Sequence, residues 1–229
     1  MKLLELNGDK NFNDVLAMCI GKIYSNQLEL KEYLGNYSRW DVDLDSGKLY
    51  LDEKEYDVEF IGTSSNEDDM WFNADLEQID DKYLQLLYKA YENIDKYGIG
   101  NLLPQKIELD DLYTDHAIAS IYTAFTDANV CYFKGSGDVS IFAFIKGLPE
   151  EIFAPIGANR FFDRVYEMIM DYEVNQKILI KGFALNNENE IDENEDRLIV
   201  KFKNGDEIVY TFDENDEMME ADYKAKRSE

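Results

Sequence analysis

The spacing of apolar residues changes from a helical period to a strand period early in the chain. Apolar side chains first recur every three or four positions, which predicts a helix over residues 12–34 that ends at Gly35. Trp40, Val42 and Leu44 then alternate with aspartates, as in a strand with one buried face. An antiparallel meander is predicted to continue through strands at residues 48–51, 56–61 and 70–74, with a polar loop at 62–69.

Helices and a hairpin follow this meander. Three further helices are predicted from the apolar period, at about residues 81–97, 110–126 and 159–172. The Lys-Gly-Ser-Gly segment at 134–137 indicates a turn between strands at 130–133 and 139–145.

The C-terminal part of the chain shows a strand pattern again. Strands are predicted at residues 177–185, 197–203 and 206–212. Asn204-Gly205 is a strong hairpin signal between the last two, and a two-residue turn would place Val200 opposite Val209. The acidic segment 186–196 and the polar tail from residue 213 are expected to lie outside regular structure.

Together these elements predict an α+β fold. We expect an antiparallel sheet, built from the meander and the hairpins, with helices packed mainly on one face. Residues 1–149 are predicted to form the main α+β domain, and residues 150–229 a helix plus β-hairpin extension packed on the same core. The chain is 45% hydrophobic and 14% aromatic, which is enough apolar material for a packed core.

The charge of the chain restricts its partners. Its 23 basic and 49 acidic residues give a formal net charge of −26. Such a surface repels nucleic-acid phosphates and anionic lipid headgroups, so we expect neither nucleic acid nor membrane as a partner. It attracts basic proteins, although acidity that serves only solubility explains the charge equally well.

The cysteines and the apolar runs bear on location. Cys19 and Cys131 lie far apart in apolar stretches, which indicates free thiols rather than a disulfide framework. The sequence shows no signal-peptide pattern and no apolar run long enough to cross a bilayer. We therefore expect a protein of the cytoplasm.

No residue set in the sequence predicts catalysis, a metal or a cofactor. Asp41, Asp43 and Asp45 share the spacing of a calcium loop, but Ser46 stands where such loops need glycine. His116 is the single histidine, and a nucleophile pair with Cys131 is disfavoured because that thiol lies in an apolar strand. We expect no catalytic residues, no metal and no cofactor, and whether the protein is an enzyme stays open.

Candidate binding residues cluster in the meander. Trp40 and Trp71 are large aromatic side chains that core packing explains by default, with both on one sheet face. An aromatic patch beside aspartates would instead mark a binding site. The candidate binding residues are therefore Trp40, Trp71, Asp41, Asp43 and Asn73.

The same stretch resembles a family of uncharacterised bacterial domain proteins. Residues 40–43 are similar to its Trp-x-x-Asp hairpin, residues 61–64 to its Leu-Gly-Ser loop, and residues 71–74 to its strand rich in Trp, Ala and Asn. The resemblance covers about residues 12–147 and leaves the region after Pro149 outside it. It implies a shared fold and no assigned activity.

Three functional hypotheses remain. The sequence favours a non-enzymatic protein-binding module, for example an immunity-type inhibitor of a basic toxin. The alternative is a small-molecule-binding protein or an enzyme with a cleft lined by Trp40, Trp71 and tyrosines. A nucleic-acid mimic, the third hypothesis, requires an elongated and regular acidic face.

Overall fold

The computed structural model describes residues 1–6, 10–65, 67–75, 79–194 and 196–226. These residues form five α-helices and two antiparallel sheets, which confirms the α+β fold. The chain divides into two compact units, the first made of Met1 with Asn26–Phe153 and the second of Lys2–Ser25 with Ala154–Glu229. Helix α1 (Phe12–Leu34) has the predicted bounds and contributes residues to both units.

The first unit is built on a seven-stranded antiparallel sheet. Its strands are β1 (Trp40–Asp43), β2 (Lys48–Leu51), β3 (Lys54–Ser65), β4 (Met70–Asn73), β5 (Lys106–Glu108), β6 (Cys131–Gly135) and β7 (Val139–Ile145). Strand β3 pairs with β2 and then β4 along one edge and with β7 along the other, and β6 pairs with β7. The predicted meander and hairpin are both present.

Strand β3 is the long central element of this sheet. It extends to Ser65, so the first part of the polar loop predicted at 62–69 is strand. Polar residues there remain in the sheet because both neighbouring strands supply hydrogen bonds, with Thr63 opposite Phe72 on one side and Ile141 on the other. The three-residue strand β5 was not predicted.

Helices α2 (Gln85–Tyr97) and α3 (Asp115–Phe125) cover one face of the first sheet. The buried carboxylate of Glu59 reaches the start of α2, where it accepts hydrogen bonds from the Leu86 amide at 2.7 Å and the Lys146 ammonium at 2.9 Å. Helix α3 begins later than predicted because Thr114 caps it by accepting a hydrogen bond from the Ala117 amide.

The second unit contains helices α4 (Ala158–Asp171) and α5 (Gln176–Asn186) and a four-stranded antiparallel sheet. The order of this sheet is β11-β10-β9-β8, formed by β8 (Glu190–Glu193), β9 (Arg197–Lys201), β10 (Glu207–Phe212) and β11 (Met218–Lys224). The two outer strands lie in segments predicted to be irregular, and their polar side chains suit the exposed edges of a sheet.

The prediction of a strand at residues 177–185 is wrong, because this segment is helix α5. Its β-branched isoleucines suggested a strand. Tertiary packing overrides that preference: Leu179, Ile180, Phe183 and Ala184 are buried together with helical spacing. Asn175 caps the helix by accepting a hydrogen bond from the Ile178 amide at 2.9 Å.

The last hairpin is present, but its predicted register is wrong by one residue. Val200 lies opposite Ile208 rather than Val209. The loop has three residues, 203–205, instead of two, because its last residue, Gly205, adopts a positive φ of +90°. A one-residue shift exchanges the faces of a strand, and the observed register buries Val200 and Ile208 together.

No helix in the described part of the chain has the length and apolar composition of a membrane span.

Candidate functional site

The two tryptophans lie on opposite faces of the first sheet, not on one face as core packing of both would require. Trp71 is fully buried on the helix side, where its ring stacks on Tyr122 of α3 at 6.5 Å. Its neighbour Phe72 therefore points to the opposite face, because side chains alternate along a strand. Trp40 shares that second face, since its ring lies against Gly135. Gly135 pairs with Ile141, and Ile141 and Phe72 both pair with Thr63, so these side chains lie on the same face of the sheet.

Trp40 joins two strands that are far apart in the sheet. It belongs to β1, whereas its ring contacts Gly135 and Phe133 of β6, with ring centroids 5.8 Å apart in the second case. Strands β2, β3 and β7 separate β1 from β6 in the ladder. The sheet must therefore curl toward the face that carries Trp40.

A cavity of about 400 Å³ opens on the first unit, and we call it the groove. Its floor follows the ladder row in which Thr63 pairs with both Phe72 and Ile141. The side chains of this row point away from the face on which Trp71 is buried, so the groove lies on the face away from α2 and α3. The described residues that line it are Leu44, Phe60, Gly62, Thr63, Ser65, Asp68, Phe72, Asn73, Ala74, Asp75, Ile79, Val139 and Ile141.

Exposed apolar side chains line the groove. Leu44 and Phe72 are each 38% exposed, and Val139 is 49% exposed. The Lys106 ammonium lies 5.0 Å from the centroid of the Phe72 ring, at one side of the floor. An apolar cavity with side chains this exposed is a common feature of binding sites.

Two aspartates lie among the described residues that line the groove. Asp68 lies in the turn before β4 and Asp75 follows the end of β4, and both line the groove. The groove therefore combines an apolar centre with a negative rim, which favours a ligand that is both apolar and cationic.

The aspartates predicted as binding residues form the β1–β2 turn. Asp43 accepts hydrogen bonds from the Ser46 hydroxyl at 2.6 Å and from the Asp45 and Ser46 amides. These hydrogen bonds, led by that of the Ser46 hydroxyl, lower the pKa of Asp43. Asp41 is exposed and accepts a hydrogen bond from the Val42 amide at 3.0 Å. Neither carboxylate is among the lining residues, although Asp43 adjoins Leu44.

Asn73 holds the buried tryptophan in place. Its side-chain oxygen accepts a hydrogen bond from the Trp71 indole at 2.6 Å, and its amide donates to the Tyr122 hydroxyl at 2.9 Å. Burial raises the pKa of Tyr122 well above its ordinary value and that of Tyr91 to about 12, so both hydroxyls stay neutral. Of the five predicted binding residues, only Asn73 lines the groove.

A second polar cluster lies at the start of α3. Asp115 accepts hydrogen bonds from the Lys134 ammonium at 2.7 Å and the Ser64 hydroxyl at 2.9 Å. Burial raises the pKa of Asp115, but these two hydrogen bonds and the charge of Lys134 lower the pKa by more than burial raises it. The pKa of Asp115 therefore lies below its ordinary value. Because Ser64 is fully buried, the cluster fastens β3 to α3 and offers no accessible nucleophile.

Cys131 and His116 do not form a nucleophile pair. His116 Nδ1 lies 2.9 Å from the Tyr132 hydroxyl, on the helix side of the sheet. Cys131 precedes Tyr132 in β6 and so points to the other face, where its thiol donates to the Asn26 carbonyl. Within the described ranges, no three His, Cys, Asp or Glu side chains converge in a way that could hold a metal ion.

Sequence reasoning missed most of the groove. Leu44, Phe72, Val139 and Ile141 come from a turn and two strands distant in sequence, and no motif connects them. The available signal was alternation: once Trp71 is assigned to the core, its neighbour Phe72 must point to the opposite face of the sheet.

Comparison with known proteins identifies a family but no characterised relative. No curated protein and no solved structure matches the chain. Residues 13–148 match the family of unknown function DUF6882. This segment exceeds half of the 229 residues and contains the seven strands of the first sheet and all the lining residues of the groove that the structure describes. The chain therefore belongs to DUF6882, as the resemblance to an uncharacterised domain family implied.

Proposed function

We propose that this protein is a non-enzymatic binding module that holds an apolar side chain of a basic partner protein in the groove. The observation that carries the proposal is a cavity of about 400 Å³ lined by the exposed side chains of Leu44, Phe72 and Val139. Burying these side chains under a partner removes apolar surface from water, which favours association.

The charge of the protein supports a basic partner. The net charge of −26 steers cationic proteins toward the molecule, and Asp68 and Asp75 on the rim of the groove place negative charge beside the apolar floor. Inhibition of a basic toxin, the immunity-type role that the sequence favours, is the specific form of this proposal. We place the module in a reducing cytoplasm, which suits its two buried free cysteines.

A small-molecule ligand is the second candidate. The volume of the groove, about 400 Å³, lies within the range of small-molecule pockets, which is roughly 300–1,000 Å³. A ligand of this kind would need an apolar body and a cationic group to match the same surface.

Two matched leucines provide the test. Leu44 lines the groove and is 38% exposed, whereas Leu112 lies outside it and is 37% exposed. Proteins captured from the host by the wild type, Leu44→Glu and Leu112→Glu would be identified, and the affinity of the purified partner measured by calorimetry. We expect a basic partner whose affinity falls at least tenfold with Leu44→Glu, stays unchanged with Leu112→Glu and decreases at high salt.

Equal binding of the partner by both variants would refute the groove as the binding site. A thermal-shift screen of the same three proteins with cationic aromatic fragments tests the second candidate. A fragment that stabilises the wild type and Leu112→Glu but not Leu44→Glu would favour a small-molecule ligand over a protein partner.

A further inference from the structure

The groove runs along strand β4, and it has a carboxylate at each end. Asp68 lies two residues before β4 (Met70–Asn73), and Asp75 lies two residues after it. At a rise of about 3.3 Å per residue, the seven steps between these aspartates span at most about 23 Å. The three steps of β4 alone cover about 10 Å, so one cation cannot contact both carboxylates, and a basic partner would contact them with two separate positive groups.

The apolar floor occupies the space between the two carboxylates. Phe72 lies near the middle of the segment, in the ladder row with Thr63 and Ile141. Val139 pairs with Ser65 in the row two residues closer to Asp68, about 7 Å away. Along its length the groove therefore presents a negative end, an apolar centre and a second negative end.

We propose that the partner inserts an extended segment in which one large apolar side chain stands between two basic residues, one bound by Asp68 and the other by Asp75. This inference rests on the proposed function, since it specifies the partner of the same groove. An extended segment matches the shape because it lies parallel to a strand and covers the same length with up to seven residues. The apolar side chain contacts Phe72, Val139 and Ile141, and the two cations contact the rim.

Designed peptides test this arrangement. The probe is the nine-residue peptide Gly-Lys-Ala-Ala-Phe-Ala-Ala-Lys-Gly, and its controls replace both lysines by glutamate or the phenylalanine by serine. Each peptide is titrated into the full-length protein at low salt, and binding is followed by changes in amide chemical shifts. We expect measurable binding of the probe alone, with the largest shifts at residues of β4 and β7.

Variants of the rim identify the two contacts. Asp68→Asn and Asp75→Asn should each weaken binding of the probe about two- to fivefold, the range of an exposed ion pair, and the double variant should weaken it further. Asp111→Asn, which removes an exposed aspartate outside the groove, should leave the affinity unchanged.

Three results would overturn the inference. These are equal binding of the lysine and glutamate peptides, no effect of either rim variant, or no binding of the probe at millimolar concentration. None of these results decides the proposed function, which is tested separately by the matched variants of Leu44 and Leu112. Partner binding that is weakened by Leu44→Glu but not by the rim variants would support the groove as the binding site without the two basic contacts.

Discussion

A methyl group added to Gly135 tests how strongly the contact between Trp40 of β1 and Gly135 of β6 stabilises the curled sheet. An ideal Cβ at position 135 would lie 2.5, 2.6 and 2.8 Å from three carbons of the Trp40 ring. Ordinary carbon–carbon contacts lie at about 3.5–4.0 Å, so the ring has to move by roughly 1 Å. Overpacking of this kind costs about 1–3 kcal/mol of unfolding free energy, which is the loss that we expect for Gly135→Ala.

Removal of the ring should reverse the sign of this effect. Trp40 is half-buried, so Trp40→Ala should cost ~2 kcal/mol, less than the 3–5 kcal/mol of a fully buried tryptophan. Without the ring the methyl group has space, and alanine in a strand is more favourable than glycine by ~0.5–1 kcal/mol. Gly135→Ala should therefore stabilise the Trp40→Ala variant, and the two substitutions should couple by at least ~1.5 kcal/mol.

Urea unfolding of the four proteins measures this cycle. Trp71 is fully buried and remains as the fluorescent reporter when Trp40 is absent. Gly137→Ala is the matched control in the same hairpin, because its Cβ would meet only the Val139 carbonyl, at 3.4 Å. An equal effect of Gly135→Ala in both backgrounds would show that Trp40 does not pack on Gly135 and would remove the argument for the curled sheet.

Three further predictions concern other parts of the fold. Asn73→Ala should lower the unfolding free energy by ~1–3 kcal/mol in urea titrations, because it leaves the Trp71 indole N–H buried without its acceptor. Asp115 has a lowered pKa in the folded state, so its ionised form stabilises the protein above the pKa of the unfolded state, about 4, and this contribution is lost as the pH falls through the folded pKa. Asp115→Asn should therefore destabilise the protein at neutral pH, where it breaks the pairing with Lys134, and progressively less as the pH falls through the folded pKa. Gly182→Ala should cost ~3 kcal/mol or prevent folding of the second unit, followed by circular dichroism, because its Cβ would collide with the backbone of α1.

Each of these predictions has a control of the same residue type. Asn129→Ala and Asp111→Asn change exposed side chains and should have small effects at every pH. Gly157→Ala adds a Cβ that meets no atom within 4 Å, and it should be nearly neutral. An Asp115→Asn effect that is constant with pH would contradict the lowered pKa, and a harmless Gly182→Ala would contradict the close approach of α5 to α1.

The local sequence pattern was sufficient to predict a helix or strand where one face of the element is buried and the other is exposed to solvent. The period of the apolar residues gave helix α1 its bounds, and the alternation of Trp40, Val42 and Leu44 with aspartates predicted β1. Asn204-Gly205 predicted the last hairpin, but glycine conformation and core packing together decided its register. Helix α5 was missed because packing against its unit outweighed the strand preference of its isoleucines.

The sequence by itself determined that this chain forms an α+β fold, carries a strongly acidic surface and contains two free cysteines. Only the tertiary structure decided that Trp71 is buried, that Trp40 closes the curled sheet and that Phe72 opens into a groove. Alternation predicts that neighbours in a strand face opposite ways, but it does not tell which face the helices will cover. That choice depends on contacts between segments far apart in sequence, and it separates the core of this protein from its candidate binding surface.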